Sequence, residues 1–220
     1  ETELIVYHGS DKIIDSPKHN GGRKFSDFGI GFYTTTNIEM AKSWATRRNH
    51  DNFYVSKFIF DTTNLTSFTF DLNLQWLLFI AYNRRLVENI QLNELLHKNF
   101  KNMNEYDVLI GPTADDRMFD TLNLFFENNI TVDHCLQSLN TMDLDIQYNI
   151  RTKKGIEALA FNKAIELDYI DKEYYANETK QKKQIMSEKM KFVRKKYGNS
   201  GKYFDELTGS DLNGILGYGL

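Results

Sequence analysis

Short apolar segments alternate with polar, glycine-bearing turns through residue 167, and then the pattern changes. The apolar run 4–7 stops at His8-Gly9-Ser10, which predicts a first strand. Residues 13–24 carry Pro17, Gly21 and Gly22 and read as a loop. Gly29 and Gly31 bracket a turn into a second strand over 32–35. Asn37 then reads as the N-cap of a helix with Ile38, Ala41, Trp44 and Ala45 on one face. Residues 53–61 are β-branched and aromatic on both alternating faces, so this strand is expected to be covered on both sides. Residues 72–86 are apolar all round and predict a buried helix, followed by an amphipathic one over 87–100. A strand over 106–110 ends in Gly111-Pro112. Asp115-Asp116 are expected to open a helix that turns Met118, Leu122, Phe125 and Phe126 inward. A short helix over 132–139 comes next. The strand over 144–151 places Leu144, Ile146, Tyr148 and Ile150 on one face and Asp145, Gln147, Asn149 and Arg151 on the other. A short helix over 153–159 and a strand over 160–167 complete this part.

From Asp171 to Tyr197 there is no glycine or proline, and Met186, Met190, Val193 and Tyr197 recur at helical spacing. This predicts a long surface helix followed by a glycine-containing tail. The expected division is a domain over 1–170 and a basic helical extension over 171–220. The order of elements argues for an α+β fold with mixed sheets. Neither GxGxxG nor GxxxxGK is present to hold phosphates in a Rossmann or P-loop manner.

Composition narrows the picture. A chain of 220 residues that is 41% hydrophobic can bury a core, which excludes global disorder. The single cysteine, Cys135, excludes an intrachain disulfide and any zinc site built on several thiolates, and reads as a buried, small apolar residue. The five histidines lack metal-ligand spacing, so no metal is expected. Trp44 and Trp76 read as core anchors. The net charge of −3 hides an asymmetry. Residues 171–197 hold nine lysines and arginines against four acidic residues, a net +5, so the remainder carries −8. No basic, apolar leader opens the sequence and no apolar run is long enough to span a bilayer, so a cytoplasmic location without membrane contact is expected.

The first sixty residues carry the most specific chemistry. A histidine next to a glycine at a strand end leaves backbone groups open to a ligand. An aromatic on the neighbouring strand offers a stacking face, and an arginine in a glycine-rich loop can fork onto phosphate oxygens. His8-Gly9-Ser10, Gly22-Arg23 and Asp27-Phe28-Gly29-Ile30-Gly31-Phe32-Tyr33 stand in that order, followed by Trp44-Ala45. Later come Tyr106-Asp107, Gly111-Pro112, Ala114-Asp115-Asp116, Gln147-Tyr148 and Arg151-Thr152.

This series resembles the ADP-ribosyltransferase superfamily of the His-Tyr-Glu type, which includes diphtheria toxin and the poly(ADP-ribose) polymerases. More narrowly, it looks like a bacterial family of ADP-ribosyltransferase-like proteins that reads Tyr-His-Gly-Ser and Asp-Phe-Gly-x-Gly-Phe-Tyr. The resemblance covers about residues 4–167. It implies an ADP-ribosyltransferase-like fold, with two small mixed or antiparallel sheets forming an NAD cleft among helices. It implies NAD contacts from His8, Gly9, Ser10, Arg23, Phe28, Tyr33 and Thr34. His8 would bind the ribose, Gly9 the carboxamide, and Tyr33 would stack on the nicotinamide. The superfamily's late-strand Glu is matched here by Gln147, a departure, since an amide orients a hydroxyl but is no base at neutral pH. That departure favours mono-transfer, with Asp115 or Asp116 as the alternative base. Arg23 pairing with Asp27, and Asp115-Asp116 as a mere helix cap, are the bland readings of the same residues. The implied activity is NAD-dependent transfer of ADP-ribose to a protein or nucleic-acid acceptor by a toxin or defence effector, with an antitoxin protein as a partner. The alternative is a catalytically weak module that binds NAD or ADP-ribose, or one that docks RNA or an antitoxin.

Overall fold

The computed structural model describes residues 2–114 and 118–213. Its centre is the strand pattern of the N-terminal half. β1 (Glu3–Ser10) and β3 (Phe53–Asp61) pair antiparallel along their whole shared length, from Glu3↔Asp61 to Ser10↔Tyr54. β7 (Leu159–Leu167) flanks β3 on the outside. On the other side of β1 lies β2 (Phe32–Thr35), then β6 (Ile146–Ile150), β5 (Val108–Pro112) and the short β4 (Ser67–Thr69). Only the β4–β5 pair is parallel, so this is one mixed seven-stranded sheet. The expected two small sheets are therefore joined. The join is thin, because β1 meets β2 through the single register pair Tyr7↔Thr35, whereas β2 meets β6 through four.

Helices cover both faces. On the face that carries Tyr7, Gly9 and Tyr33 lie α1 (Ile38–Thr46) and α2 (Leu74–Asn83). Asn37 caps α1 by accepting from the Glu39 amide, as the sequence predicts, and Asn73 caps α2 two residues later than expected. The α2 segment buries Trp76 through Ala81 without a break, which is why it shows no amphipathic stripe. Behind it, α3 (Ile90–Phe100), α4 (Phe119–Phe126) and α5 (Val132–Leu139) complete the large core around Trp76, Phe79, Leu109 and Phe125. The opposite sheet face holds a smaller cluster of Val6, Phe32, Phe58, Phe60, Val108 and Ile150, closed by α6 (Lys153–Glu157).

β6 reverses the usual reading of an alternating strand. Its polar residues face the large core, with Gln147 4% and Asn149 0% exposed, while Ile146 is 39% exposed. A central strand is covered on both faces, and polar side chains can be buried there because partners within the fold accept their hydrogen bonds.

Residues 169–213 are packed onto this frame. α7 (Tyr169–Tyr197) starts at a capping box in which Asp168 and Asp171 bond each other's backbone amides, two residues before the predicted start. Tyr175 donates its hydroxyl to Glu39 on α1, and Met186 enters the large core. Beyond α7, Phe204, Leu207 and Leu212 join the same core, with Leu212 on the short α8 (Gly209–Leu212). Among the described residues, no helix is long and apolar enough to cross a membrane.

Candidate active site at the junction of β1 and β2

Past Tyr7↔Thr35, β1 and β2 part company. His8, Gly9 and Ser10 stay paired with Ser56, Val55 and Tyr54 of β3, while Thr34, Tyr33 and Phe32 pair with Tyr148, Asn149 and Ile150 of β6. The edge of β1 over residues 8–10 thus has no strand register with β2. His8 bridges the opening: its Nδ1 lies 2.6 Å from the Tyr33 carbonyl oxygen, and its ring rests 4.4 Å from that of Phe32. A carbonyl can only accept, so Nδ1 carries the proton and Nε2 of the neutral ring is an acceptor. Burial holds the imidazole pKa below its ordinary 6.5, opposed by the bond to Tyr33, so the ring is neutral at pH 7.

Gly9 has a packing reason of its own. A Cβ there would stand 1.9 Å from the Ala41 carbonyl oxygen and 2.7 Å from the Ala45 nitrogen. Only glycine lets α1 lie directly on β1, which brings the helix onto the strand that carries His8.

The turn before β2 is clamped from beneath. Gly29 adopts φ +80°, the left-handed region that favours glycine. The Tyr33 hydroxyl donates to the Gly29 carbonyl at 2.6 Å and accepts from the Phe28 amide at 3.0 Å. Burial and the charge of Asp27 push its pKa up, so the phenol stays protonated. Phe28 is fully buried in the large core. Arg151 donates to the Phe28 carbonyl, to Asn149 Oδ1 at 3.0 Å and to Asn104. Gly31 sits over the Asn149 carboxamide, where a Cβ would come within 2.4 Å. Among the described residues, the buried Asn149 Nδ2 and Arg151 Nε find no partner. Sequence reasoning missed this clamp, although its carriers stand in the Gln147-Tyr148-x-x-Arg151-Thr152 run.

The expected site residues fall into three groups. His8, Gly9, Tyr33 and Thr34 come together at the junction, but the strand register places the His8 and Tyr33 side chains on opposite faces of the sheet. Arg23 is exposed on a loop whose neighbour Gly22 presses against the Gly31 carbonyl, so that loop crosses the start of β2. Asp27 bonds Arg84, with Nε to Oδ1 at 2.8 Å, so the bland pairing of Asp27 with Arg23 gives way to an Asp27–Arg84 ion pair. Ser10 ends β1 and donates to Asp11. Thr34 is fully buried and donates to the Tyr148 carbonyl. Gln147 lies opposite Thr35, and its Nε2 donates to the Pro112 carbonyl at 3.3 Å, which also accepts from Trp76 Nε1 at 3.0 Å. Asp115 and Asp116 lie outside the described residues. Away from the junction, Cys135 is buried and its thiol pKa pushed up by desolvation, so the thiol is inert. No group of three or more His, Cys, Asp or Glu suited to a metal occurs among the described residues.

The fold class is thus α+β, a mixed seven-stranded sheet covered by helices, with a junction at its centre where two strands splay. The chain belongs to the family described as "Protein of unknown function (DUF3990)", which it matches over residues 4–161. No curated protein matches it. Among solved structures, it is similar to a chain of the crystal structure of the M. tuberculosis MbcT–MbcA toxin–antitoxin complex. The likeness covers 79% of this chain and 90% of that one, at 9% identity and a TM-score of 0.42, and it carries no argument about activity.

Proposed function

We propose that the junction of β1 and β2 binds NAD and that the chain transfers its ADP-ribose to an acceptor, releasing nicotinamide. The observation that carries this reading is the splay itself. A backbone edge free of strand register at residues 8–10 lies beside a neutral histidine whose tautomer presents Nε2 as an acceptor. Those are the groups a ribose hydroxyl and a carboxamide require. In the reaction, the bond from the nicotinamide nitrogen to the ribose anomeric carbon breaks with its electron pair leaving on nicotinamide. The acceptor's nucleophile then bonds that carbon and loses its proton. This chain's share is positioning and electrostatics. His8 holds the ribose, Gly9 the carboxamide and Arg23 the pyrophosphate. Tyr33, tied to Gly29, fixes the strand that walls the cleft. The motif series further supports a toxin or defence effector, with a protein partner that restrains it.

A second reading has an observation behind it. On the motif resemblance, Gln147 takes the place of the superfamily's late-strand Glu, and its amide donates to the Pro112 carbonyl. A module that binds NAD without turning it over would look like this. Chromatography of nicotinamide released from NAD, alongside calorimetric NAD binding, separates the two. Wild type is expected to bind NAD and release nicotinamide in the presence of a cell extract, and His8→Ala to lose at least tenfold in both. Binding without release in any extract would establish the second reading, and absence of binding would end both.

A further inference from the structure

α7 carries two apolar stripes, and only one is used by the fold. Tyr175, Met186 and Val193 are buried against the rest of the molecule. Ile170, Tyr174, Ile185 and Phe192 are exposed, with Ile170 at 77% and Phe192 at 75%. At about 100° per residue, these four fall within about 60° of one another and about 100° from the buried set. They make two outward patches, Ile170 with Tyr174 and Ile185 with Phe192, separated on the same face by exposed Asn177 and Gln181. Isolated exposed hydrophobics are ordinary, but two such pairs on one helix face, the second spaced one heptad apart, mark a contact surface.

Charge is segregated along the helix. Residues 171–178 carry Asp171, Glu173 and Glu178 against Lys172, a net −2. Residues 180–196 carry eight lysines and arginines against Glu188, a net +7. Phe192 sits between exposed Lys196 on one side and exposed Lys191 and Lys195 on the other. The acidic end borders a cavity of about 300 Å³ lined in part by Glu39, Asp145 and Glu178.

We propose that this outer face of α7 docks an amphipathic helix of another protein, one that is acidic along the half lying over residues 180–196. Ile185 and Phe192, one heptad apart, give a second helix an apolar anchor, and the excess of cations around them selects an acidic one. A nucleic acid or an anionic membrane would meet the basic half but be repelled by Asp171, Glu173 and Glu178, which flank Ile170 and Tyr174. A second copy of this chain, paired antiparallel, would set only two net negative charges against seven positive ones. The surface does not depend on the transferase reading.

The test uses the whole chain and a fluorescein-labelled synthetic helix of 28 residues, with a leucine seam flanked by glutamates, read by anisotropy. Its twin carries lysines in place of the glutamates. The acidic helix should bind saturably, at least tenfold more tightly than the twin, and more weakly as salt rises. Serine at both Ile185 and Phe192 should weaken it at least tenfold while the thermal midpoint stays unchanged, since both side chains are exposed. The proposal is overturned if the acidic helix does not bind, if the twin binds as well, or if the double variant binds as wild type does. It is equally overturned if a 20-nucleotide oligouridine or phosphatidylserine vesicles replace the acidic helix as the ligand sensitive to Phe192. A dimer in sedimentation velocity that the variant abolishes would assign the surface to a second copy and overturn it too.

Discussion

β6 and α7 both invert the rule that apolar residues go inside, and they do so for opposite reasons. β6 buries Gln147 and Asn149 and exposes Ile146, because the polar side chains find acceptors or donors in Pro112 and Arg151. α7 exposes Phe192 and Ile170, which nothing among the described residues covers. The first inversion is satisfied inside the fold, so breaking it should destabilise the protein. The second has no partner inside the fold, so breaking it should leave stability alone. Polarity alone does not distinguish these cases. What distinguishes them is whether the chain itself supplies the complement.

The sharpest way to break the comparison is Arg151→Met. It would strip the Phe28 carbonyl and the buried Asn149 Oδ1 of their charged donor. We expect a loss of about 2–4 kcal/mol in urea unfolding, together with loosening of the turn that carries Tyr33. A loss within about 0.5 kcal/mol, the range of an ordinary surface substitution, would mean the clamp is incidental.

A smaller effect comes from the other buried polar group at the junction. The His8 pKa is lower in the folded chain than its ordinary 6.5, so the unfolded chain binds the extra proton first. Stability from this group is fully present above pH 6.5 and is lost as pH falls from there toward the folded value. The slope in that window is at most about 1.4 kcal/mol per pH unit. Denaturation midpoints measured between pH 7.5 and 5 should show the decline in wild type and a flatter line in His8→Gln. Parallel lines would remove the burial argument for His8.

The smallest effect is expected on α7. Phe192→Ser should change stability by no more than about 0.5 kcal/mol, whichever partner the helix meets. A loss above 1 kcal/mol would show that the outer stripe is packed in solution, and the contrast with β6 would disappear.

Much of the fold is legible before any tertiary contact is considered. β2 over 32–35, β3 over 53–61 and α5 over 132–139 coincide with the residues their patterns predict, and Asn37 caps the helix it precedes. These are local facts: side-chain periodicity and a cap that bonds its own helix need no distant partner. β4 escaped notice, because three residues are too few to show a period. Of the candidate site, the sequence pattern singled out His8, Gly9, Tyr33 and the glycines around Phe28, which the fold gathers near the junction. It did not reveal that His8 and Tyr33 lie on opposite faces, or that Arg151 and Asn149 hold the turn from beneath, because both facts depend on which strand becomes the neighbour of β2.

Side-chain pattern alone was enough to place β2, β3 and α5, to name Asn37 as a cap, and to show that the last long helix is basic. It took the packed fold to turn the polar face of β6 inward, to pair Asp27 with Arg84, and to separate β1 from β2 at His8. The reason is one of range. Periodicity and capping act over a few residues, whereas burial of a charge or an amide is tolerated only when the fold brings a partner to meet it, as Arg84 meets Asp27 and Arg151 meets the Phe28 carbonyl.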